Sequence, residues 1–411
     1  MRTEFSVNGR TYRPPERPVV VICLDGCADE YLDVSLAREK MPNLQEMANR
    51  GYRGMARGAL PSFTNVNNAS IATGVPPSVH GISGNFFLDP ETGEEVMMNS
   101  ARYLRADTIL AAAAQAGRKV AIVTAKEKLR EILSHGLERI GFSAEKANQA
   151  QERTHGIADV EALVGMPTPP IYSAEASLFV LRAGVSLIEA GRADFLYLSM
   201  TDYMQHRYPP EAPESLDFYR AIDAEIGRLL ALNAVVGATA DHGMNAKQTP
   251  DGDPNVIYLE SLLAEELGPG VKVILPITDP YVAHHGALGS FATVHLPDLR
   301  ATLLVAQRLI ELEGITEVYD RYTAARKLEL PADRIGDIVV MSGRDVVIGR
   351  TPDYHNLSAL EGGLRSHGGR YEEMVPMVLS EPLSDRYRAR AAGDPRNFDI
   401  FDFTVNGSQE C

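Results

Sequence analysis

The chain has 411 residues, of which 45% are hydrophobic and 23% are charged. These values are typical of a soluble globular protein and exclude a disordered, collagen-like or coiled-coil chain; the length predicts two or three domains. The 40 Lys and Arg residues against 55 Asp and Glu residues give a net charge of −15. Because an acidic surface repels a phosphate backbone, we expect no nucleic-acid partner. Any anionic ligand must instead meet a concentrated positive centre inside a cleft.

Cysteine usage and the N-terminal sequence predict the compartment. The three cysteines, Cys23, Cys27 and Cys411, form no CxxC pair, and an odd number suits a reducing environment better than a disulfide framework. Residues 1–18 lack the apolar segment of a secretory signal, and the chain has no apolar run of about 18 residues that could span a membrane. We therefore expect a cytoplasmic protein with no membrane partner.

Short apolar, β-branched runs alternate with helical patterns over the first 250 residues. Four runs predict strands, at residues 18–24, 118–123, 195–199 and 234–240. Helices are predicted from Pro42 to Gly51, over residues 174–190, and over a segment whose apolar face carries Leu216, Tyr219, Ile222, Ile226 and Leu229. The alternation predicts an α/β fold with a central, mostly parallel sheet that helices cover on both faces.

The amino-acid composition and the pattern of predicted elements change between residues 251 and 350. Pro and Gly become frequent there, and short strand-like pieces (VKVIL, FATVHL, DIVVMS and VVIG) flank one strong helix at residues 300–312. This pattern predicts a smaller inserted α+β subdomain, with residues 1–250 and 351–411 forming the core. We expect the Gly- and Arg-rich tail, residues 362–411, to pack back onto that core.

Charged or metal-binding residue types follow each predicted strand. They are Asp25 after the first strand, Lys126 and Lys128 after the second, Asp202 and His206 after the third, and Asp241 and His242 after the fourth. Ligands of open α/β sheets bind at the carboxyl ends of the strands, so these side chains should line one rim. Any single pair could equally be a helix cap or a solvated loop residue; the prediction of a metal site rests on their conjunction.

The spacing of these residues also suits metal ligation. Asp202 and His206 stand four residues apart, which places both side chains on one face of a helical turn. Carboxylate oxygen and imidazole nitrogen together suit Zn²⁺. A further histidine, His367, lies in a glycine-rich segment. We expect structural or surface roles for the histidines without a carboxylate partner, namely His135, His155, His284, His285, His295 and His355.

A hydroxyl-rich segment, residues 58–85, is the candidate source of a nucleophile. Thr64 is predicted at the start of a helix, where unpaired N–H groups and the helix dipole favour an anion. A hydroxyl there can gain from metal coordination and from amide donors. It can also be a simple helix cap, and Ser62 is a competing nucleophile.

Six motifs occur along the chain in the order seen in the alkaline phosphatase superfamily. They are LDG (residues 24–26), SFTN (62–65), HGISGN (80–85), TDYMQH (201–206), ADHGM (240–244) and SHGG (366–369). As an ordered set, they resemble the nucleotide pyrophosphatase/phosphodiesterase branch of that superfamily, and within it the members that hydrolyse phosphonoacetate. The resemblance spans residues 25–367 and implies an alkaline phosphatase-like core.

The resemblance implies a site with two Zn²⁺ ions per chain. One ion would be held by Asp25, Thr64, Asp241 and His242, and the other by Asp202, His206 and His367. Thr64 would attack phosphorus to give a phosphothreonine, which water then hydrolyses, and the Thr64 amide and Asn85 would hold the phosphoryl oxygens. Lys126 and Lys128 would bind the substrate carboxylate, although the segment 126–130 could also be the solvated start of a helix.

The resemblance thus implies hydrolysis of phosphonoacetate to acetate and phosphate, and several other functions compete with this expectation. A two-metal phosphodiesterase or nucleotide pyrophosphatase would use the same metals and nucleophile, but the chain has no Trp and 7% aromatic residues with which to stack a base. A phosphoglycerate mutase is disfavoured because Thr stands at the nucleophile position. A metal- or anion-binding module would have no need of the hydroxyl ligand. A dinucleotide-binding oxidoreductase is disfavoured because no GxGxxG motif follows a predicted strand, and the P-loop motif is absent too. The expected partner is a small-molecule phosphonate, and a homodimer stays open.

Overall fold

The computed structural model describes residues 4–277, 287–360 and 363–409. Cys411 and the pair His284–His285 lie outside the described residues. The β-strands, in chain order, are β1 Phe5–Val7, β2 Arg10–Tyr12, β3 Val19–Cys23, β4 Tyr52–Arg57, β5 Phe86–Leu88, β6 Glu95–Met97, β7 Val120–Thr124, β8 Ile140–Ser143, β9 Phe195–Ser199, β10 Val235–Thr239, β11 Asn245–Ala246, β12 Val256–Tyr258, β13 Lys272–Ile274, β14 Phe291–His295, β15 Ile315–Asp320, β16 Ile338–Ser342, β17 Val347–Gly349, β18 Arg365–Ser366 and β19 Met374–Leu379.

The α-helices connect these strands. In chain order they are α1 Asp29–Ala37, α2 Pro42–Arg50, α3 Thr64–Thr73, α4 Pro77–His80, α5 Ile109–Gln115, α6 Glu127–Leu133, α7 Glu152–His155, α8 Val160–Val164, α9 Ala174–Glu189, α10 Tyr203–Arg207, α11 Pro213–Ala231, α12 Leu259–Leu267, α13 Thr302–Ile310, α14 Arg321–Lys327, α15 Asp385–Ala391 and α16 Ile400–Asn406. Within the described ranges, every helix is too short or too polar to span a lipid bilayer.

A seven-stranded sheet forms the centre of the molecule, in the order β4-β19-β10-β3-β9-β7-β8. Strands β10, β3, β9, β7 and β8 run parallel to one another, and β19 runs antiparallel to both β10 and β4. The expected mostly parallel sheet is therefore confirmed. All four strands predicted for it are present; the strand at 195–199 has the predicted ends, and the ends of the other three are shifted by one or two residues.

Helices cover both faces of this sheet, which explains why its inner strands are apolar on both sides. Val20 and Ile22 of β3 point into one core cluster, together with Phe179 of α9 and Ile222 of α11. Val19, Val21 and Cys23 alternate to the other face and pack with residues of α5, α6 and α16. The expected packing of the tail onto the core is seen in β19 and α16.

A second sheet lies within residues 251–350, in the antiparallel order β13-β14-β16-β15. Four strand-like sequence pieces correspond to β13, β14, β16 and β17, whereas β12, β15, α12 and α14 were not expected. The apolar cluster under this sheet joins Phe291 and Val339 to Phe63, the residue immediately before α3. The second sheet is thereby packed directly against the segment that carries Thr64.

The contact between α11 and α2 can be tested at Asp223 of α11. Its buried carboxylate accepts hydrogen bonds from the backbone N–H groups of Asn43 and Leu44, at 3.1 and 2.8 Å, at the start of α2. Asp223→Ala should lower the free energy of unfolding by about 2 kcal/mol, because two buried donors lose their acceptor. Denaturant unfolding would measure the loss. Asp217→Ala, an exposed carboxylate on the same helix, should change stability by less than about 0.5 kcal/mol.

Candidate metal centre

Strand register brings three carboxylates to one point at the carboxyl edge of the sheet. In the neighbouring strands β10, β3 and β9, Thr239, Cys23 and Ser199 are aligned. Asp241 and Asp25 come two residues after their strands, and Asp202 comes three residues after its own. Each carboxylate is nearly or fully excluded from solvent. The topology therefore concentrates negative charge in the protein interior.

A first group of ligand atoms belongs to Asp25, Asp241, His242 and Thr64. The Nε2 atom of His242 lies 3.4 Å from Asp25 Oδ1, 3.6 Å from Asp241 Oδ2 and 3.4 Å from the Thr64 hydroxyl. The carboxylates and the imidazole offer atoms that all lie within 4.8 Å of one another. All four residues are buried. One cation could contact the whole group.

A second group surrounds Asp202. Its Oδ2 atom lies 3.0 Å from His206 Nε2 and 3.7 Å from His367 Nε2. The rings of His367 and His242 stack with centroids 3.5 Å apart, so the second group adjoins the first. Asp202, His242 and His367 also meet the spacing for a shared ion. The structure thus brings together all seven residues that the sequence named as ligands.

The three imidazoles are oriented by backbone carbonyls. The Nδ1 atom of His206 lies 2.8 Å from the carbonyl oxygen of Arg365, that of His242 lies 2.9 Å from Gly243, and that of His367 lies 2.7 Å from Ser62. Because a carbonyl can only accept, each Nδ1 carries a proton, and each Nε2 is the atom that is left to bind a cation or a second proton beside the carboxylates. Outer hydrogen bonds of this kind are typical of metal-binding histidines.

The buried carboxylates of the two ligand groups need added positive charge to balance them. Both carboxylate oxygens of Asp25 are buried and accept no hydrogen bond from any described residue. Burial and the carboxylates of Asp202 and Asp241 raise the pKa of Asp25 well above its ordinary value. Burial opposes ionisation of Asp202 as well, but Lys126 and His206 hold its pKa well below the usual range. Since uncompensated buried carboxylates are costly, the carboxylate, imidazole and hydroxyl donors fit divalent cations well.

Thr64 is the first residue of α3, as the sequence predicted. The amide N–H of the next residue, Asn65, donates to the side-chain oxygen of Asn85 at 3.2 Å, so Asn85 lies beside the N-terminus of this helix. The hydroxyl of the competing candidate, Ser62, donates to the carbonyl oxygen of Gly369 at 2.8 Å. Ser62 is therefore committed to a structural contact, whereas the Thr64 hydroxyl faces His242.

The two lysines lie at the start of α6. The Nζ atom of Lys126 is 3.2 Å from Asp202 Oδ1, on the rim of the second ligand group. Lys128 is half-buried in the first turn of the helix. An amino group is thus held beside the ligand cluster, where it can also meet an anionic group on a bound molecule.

Two further residues shape the site and were not predicted. Asn68, one turn after Thr64 on α3, donates to Asp241 Oδ2 at 3.2 Å, and its own oxygen accepts from the hydroxyls of Tyr197 and Ser199. Gly26 has a φ of +72°, and a Cβ atom there would stand 2.8 Å from the Cβ atom of Asp202. The four-residue spacing of Thr64 and Asn68 is the signal that could have revealed the first. The close approach of Gly26 is visible only in three dimensions.

Comparisons with known proteins agree with this architecture. The profile of the type I phosphodiesterase / nucleotide pyrophosphatase family matches residues 19–370. Phosphonoacetate hydrolase from Sinorhizobium meliloti 1021, in crystal structures with phosphonoacetate and with phosphonoformate, is 46% identical, with each chain covered over 100% of its length and a TM-score of 0.95. Murine ectonucleotide pyrophosphatase / phosphodiesterase 5 shares the fold at 19% identity, with a TM-score of 0.60 over 89% of this chain and 88% of that one.

A similarity among curated proteins is more local. An uncharacterized pyrophosphatase/phosphodiesterase of Schizosaccharomyces pombe is 40% identical over 78 residues, which is 19% of this chain and 15% of that protein. The match to the family profile covers most of the chain, and the chain belongs to the type I phosphodiesterase / nucleotide pyrophosphatase family. The superfamily, the fold and the enzymatic class expected from the sequence motifs are therefore confirmed.

The metal-free chain should lose stability as the pH rises from about 6.5 to 9. Burial alone would lower the pKa of His242, but the carboxylates of Asp241 and Asp25 raise it to about 9 from an ordinary 6.5. A raised pKa means that the stabilising proton is fully bound below the ordinary value and is lost as the pH passes about 9. Calorimetry of chelator-treated protein should therefore show a Tm that falls across this range.

Adding Zn²⁺ should raise the Tm at every pH in this range, and the increment should grow with pH because proton and cation compete for His242. His295→Gln serves as the control, because burial lowers the pKa of His295 to about 4, outside the range tested. A Zn²⁺ increment that stays constant or shrinks from pH 6.5 to 9 would contradict the assignment of His242 as a ligand.

Proposed function

We propose that this chain hydrolyses phosphonoacetate to acetate and phosphate, with Thr64 as the nucleophile. The observation that supports this most strongly is the 46% identity, over the full length of both chains, to a phosphonoacetate hydrolase whose crystals hold phosphonoacetate. The chemistry of the rim agrees, because it combines a ligand cluster for divalent cations with the amino group of Lys126.

The proposed cofactors are two Zn²⁺ ions. Asp25, Thr64, Asp241 and His242 would hold one ion, and the other would be held by Asp202, His206 and His367. When bound, the ions would supply the positive charge that lowers the pKa of the Thr64 hydroxyl and attracts an anionic phosphonate. A cluster of this kind gives an acidic protein the positive centre that its surface lacks.

The first proposed step forms a phosphothreonine. The Thr64 oxygen attacks phosphorus, an O–P bond forms, and the P–C bond breaks with its electron pair leaving on the methylene carbon. The Thr64 amide and the side chain of Asn85 would hold the non-bridging oxygens, and the position of Asn85 beside the N-terminus of α3 supports this role. Water then hydrolyses the phosphothreonine to phosphate and restores the Thr64 hydroxyl.

In this proposal, Lys126 and Lys128 stabilise the negative charge that develops on the carbon leaving group. A carbanion is a poor leaving group, but an adjacent carboxylate can take up its charge as an enediolate, which a proton converts to acetate. An amino group at the carboxylate would stabilise that charge as it develops. The position of Lys126 beside Asp202 Oδ1 supports this role, and Lys128, two residues later in the first turn of α6, is its proposed companion.

The family also supports a second candidate function, the hydrolysis of phosphodiesters or nucleotide pyrophosphates. Both reactions would use the same nucleophile and ligands, so the site alone does not separate them. Phosphonoacetate and a phosphodiester offered side by side, with acetate and inorganic phosphate quantified, would distinguish the two. We expect acetate and phosphate in equal amounts from phosphonoacetate and at most slow turnover of the diester.

Thr64→Ala should lower kcat for phosphonoacetate by at least about 1,000-fold, because the bond-forming oxygen is removed. Thr73→Ala is the matched control, since its buried hydroxyl donates to the carbonyl oxygen of Ala69 at 2.7 Å in the last turn of the same helix; it should retain kcat within about tenfold. Phosphate release measures both, and circular dichroism confirms folding. Comparable losses in the two variants would argue against Thr64 as the nucleophile.

Lys126→Ala should reduce kcat/KM for phosphonoacetate by about 100-fold and for an aryl phosphate by less than about tenfold, because only the former carries the carboxylate. Lys119→Ala is the control, as its amino group bonds the carbonyl of Gly191 near the opposite end of β7. Equal losses on both substrates would reject the carboxylate-binding role of Lys126.

A further inference from the structure

A fully buried ion pair lies behind the two histidines that stack on each other. The Nζ atom of Lys247 is 2.8 Å from Glu372 Oε1, and both side chains are entirely shielded from solvent. Lys247 comes five residues after His242, and Glu372 comes five residues after His367. The pair thus joins the two chain segments that carry these proposed ligands.

Glu372 collects hydrogen bonds from both segments. Its Oε1 atom also accepts from the side-chain amide of Asn245 at 2.6 Å, and its Oε2 atom accepts from the backbone N–H of Gly369 at 3.1 Å. Its backbone carbonyl accepts from the N–H of Gly243 at 2.8 Å. Gly243 and Gly369 stand one and two residues from His242 and His367. The carboxylate and the backbone of Glu372 therefore connect the segment that carries His242 to the segment that carries His367.

The same network reaches the segment that precedes the nucleophile. The carbonyl of Gly369 accepts from the Ser62 hydroxyl, and the Ser62 carbonyl accepts from Nδ1 of His367. The short strands β11 and β18 pair across the same region, with Asn245 opposite Ser366. Lys247 closes the arrangement by donating to the carbonyl of Arg344 at 2.6 Å.

Burying an ion pair costs free energy, because both charges lose their contact with water. An apolar pair of similar volume often gives equal or greater stability, because two charges need not be removed from water. Here, however, the carboxylate receives donors from two separate segments at distances that an apolar side chain could not impose. The energetic argument favours a role in geometry over a role in stability.

We propose that Lys247 and Glu372 are positioning residues that set the relative placement of His242 and His367, and through it the affinity of the site for divalent cations. This inference rests on the proposed function only in taking these histidines as ligands. It assigns to the pair no contact with the substrate or with the ions. The pair acts through the backbone N–H of Gly369, two residues after His367, and through the side chain of Asn245, three residues after His242.

The double variant Lys247→Met/Glu372→Met separates geometry from stability. It removes both charges together, so no lone charge is left in the core, and its Tm should fall no further than that of Asp223→Ala, in which two buried donors also lose their acceptor. The affinity for Zn²⁺, measured by chelator competition on folded protein, should fall by about 10- to 100-fold, the range known for outer hydrogen-bond partners of metal ligands. The absorption spectrum of the Co²⁺-loaded form should change as well, since it reports ligand geometry.

Glu372→Gln provides a second variant with native side-chain volume. It places an amide NH₂ against the N–H of Gly369 or the amine of Lys247, so Zn²⁺ affinity should again fall by about tenfold or more. Arg118→Met is the matched control. It breaks the partly buried contact with Asp194 near the amino end of β7, and should lower the Tm while leaving Zn²⁺ affinity within about threefold of native.

Two outcomes would overturn the inference. One is native Zn²⁺ affinity and a native Co²⁺ spectrum in the folded double variant or in folded Glu372→Gln. The other is a loss of Zn²⁺ affinity in Arg118→Met equal to theirs, which would trace the effect to general stability. Failure of the proposed function is distinguishable, because it would show as native protein that binds the cations and releases no phosphate from phosphonoacetate.

Discussion

Three carboxylates enclosed at one edge of a sheet are the constraint on which this structure depends. Asp25, Asp202 and Asp241 lie almost wholly out of water, with Lys126 at their margin. Like charges that close raise the free energy of the folded chain unless protons or cations neutralise them. The imidazole Nε2 atoms directed at the same point can bind such cations. Folding buries the carboxylates and cation binding would neutralise them, so the two processes are energetically coupled.

The fold solves the placement problem with rigid elements. Parallel strands β10, β3 and β9 align the residues that precede the carboxylates, and backbone carbonyls fix the three imidazoles. The proposed nucleophile, Thr64, comes from a different kind of element, the first turn of α3, where the helix N-terminus adds amide donors. The segments carrying His242 and His367 are short and irregular, and the buried pair of Lys247 and Glu372 joins them. In our proposal, rigid elements hold some of the ligands and this polar network holds the others.

Sequence patterns revealed the parts of this arrangement that depend on local order. The central strands were predictable because each is a short apolar run followed by a charged residue, and the spacing of Asp202 and His206 is that of one helical turn. The convergence of seven residues came from ordered motifs, since no local pattern places His367 beside His242. Strand β19 was missed because Pro376 interrupts its run and it lies in the polar tail. Asn68, Gly26 and the pair Lys247–Glu372 depend on contacts between distant segments, which composition and periodicity do not encode.

The central claim, that these side chains form a two-ion centre, is tested most directly by anomalous diffraction from crystals of active protein soaked in Zn²⁺. Data on either side of the zinc absorption edge locate the ions without reference to activity. The account predicts two peaks about 4 Å apart, one touching Asp25, Asp241 and His242 and the other touching Asp202, His206 and His367. A single peak, no peak, or peaks away from these side chains in catalytically active crystals would contradict it.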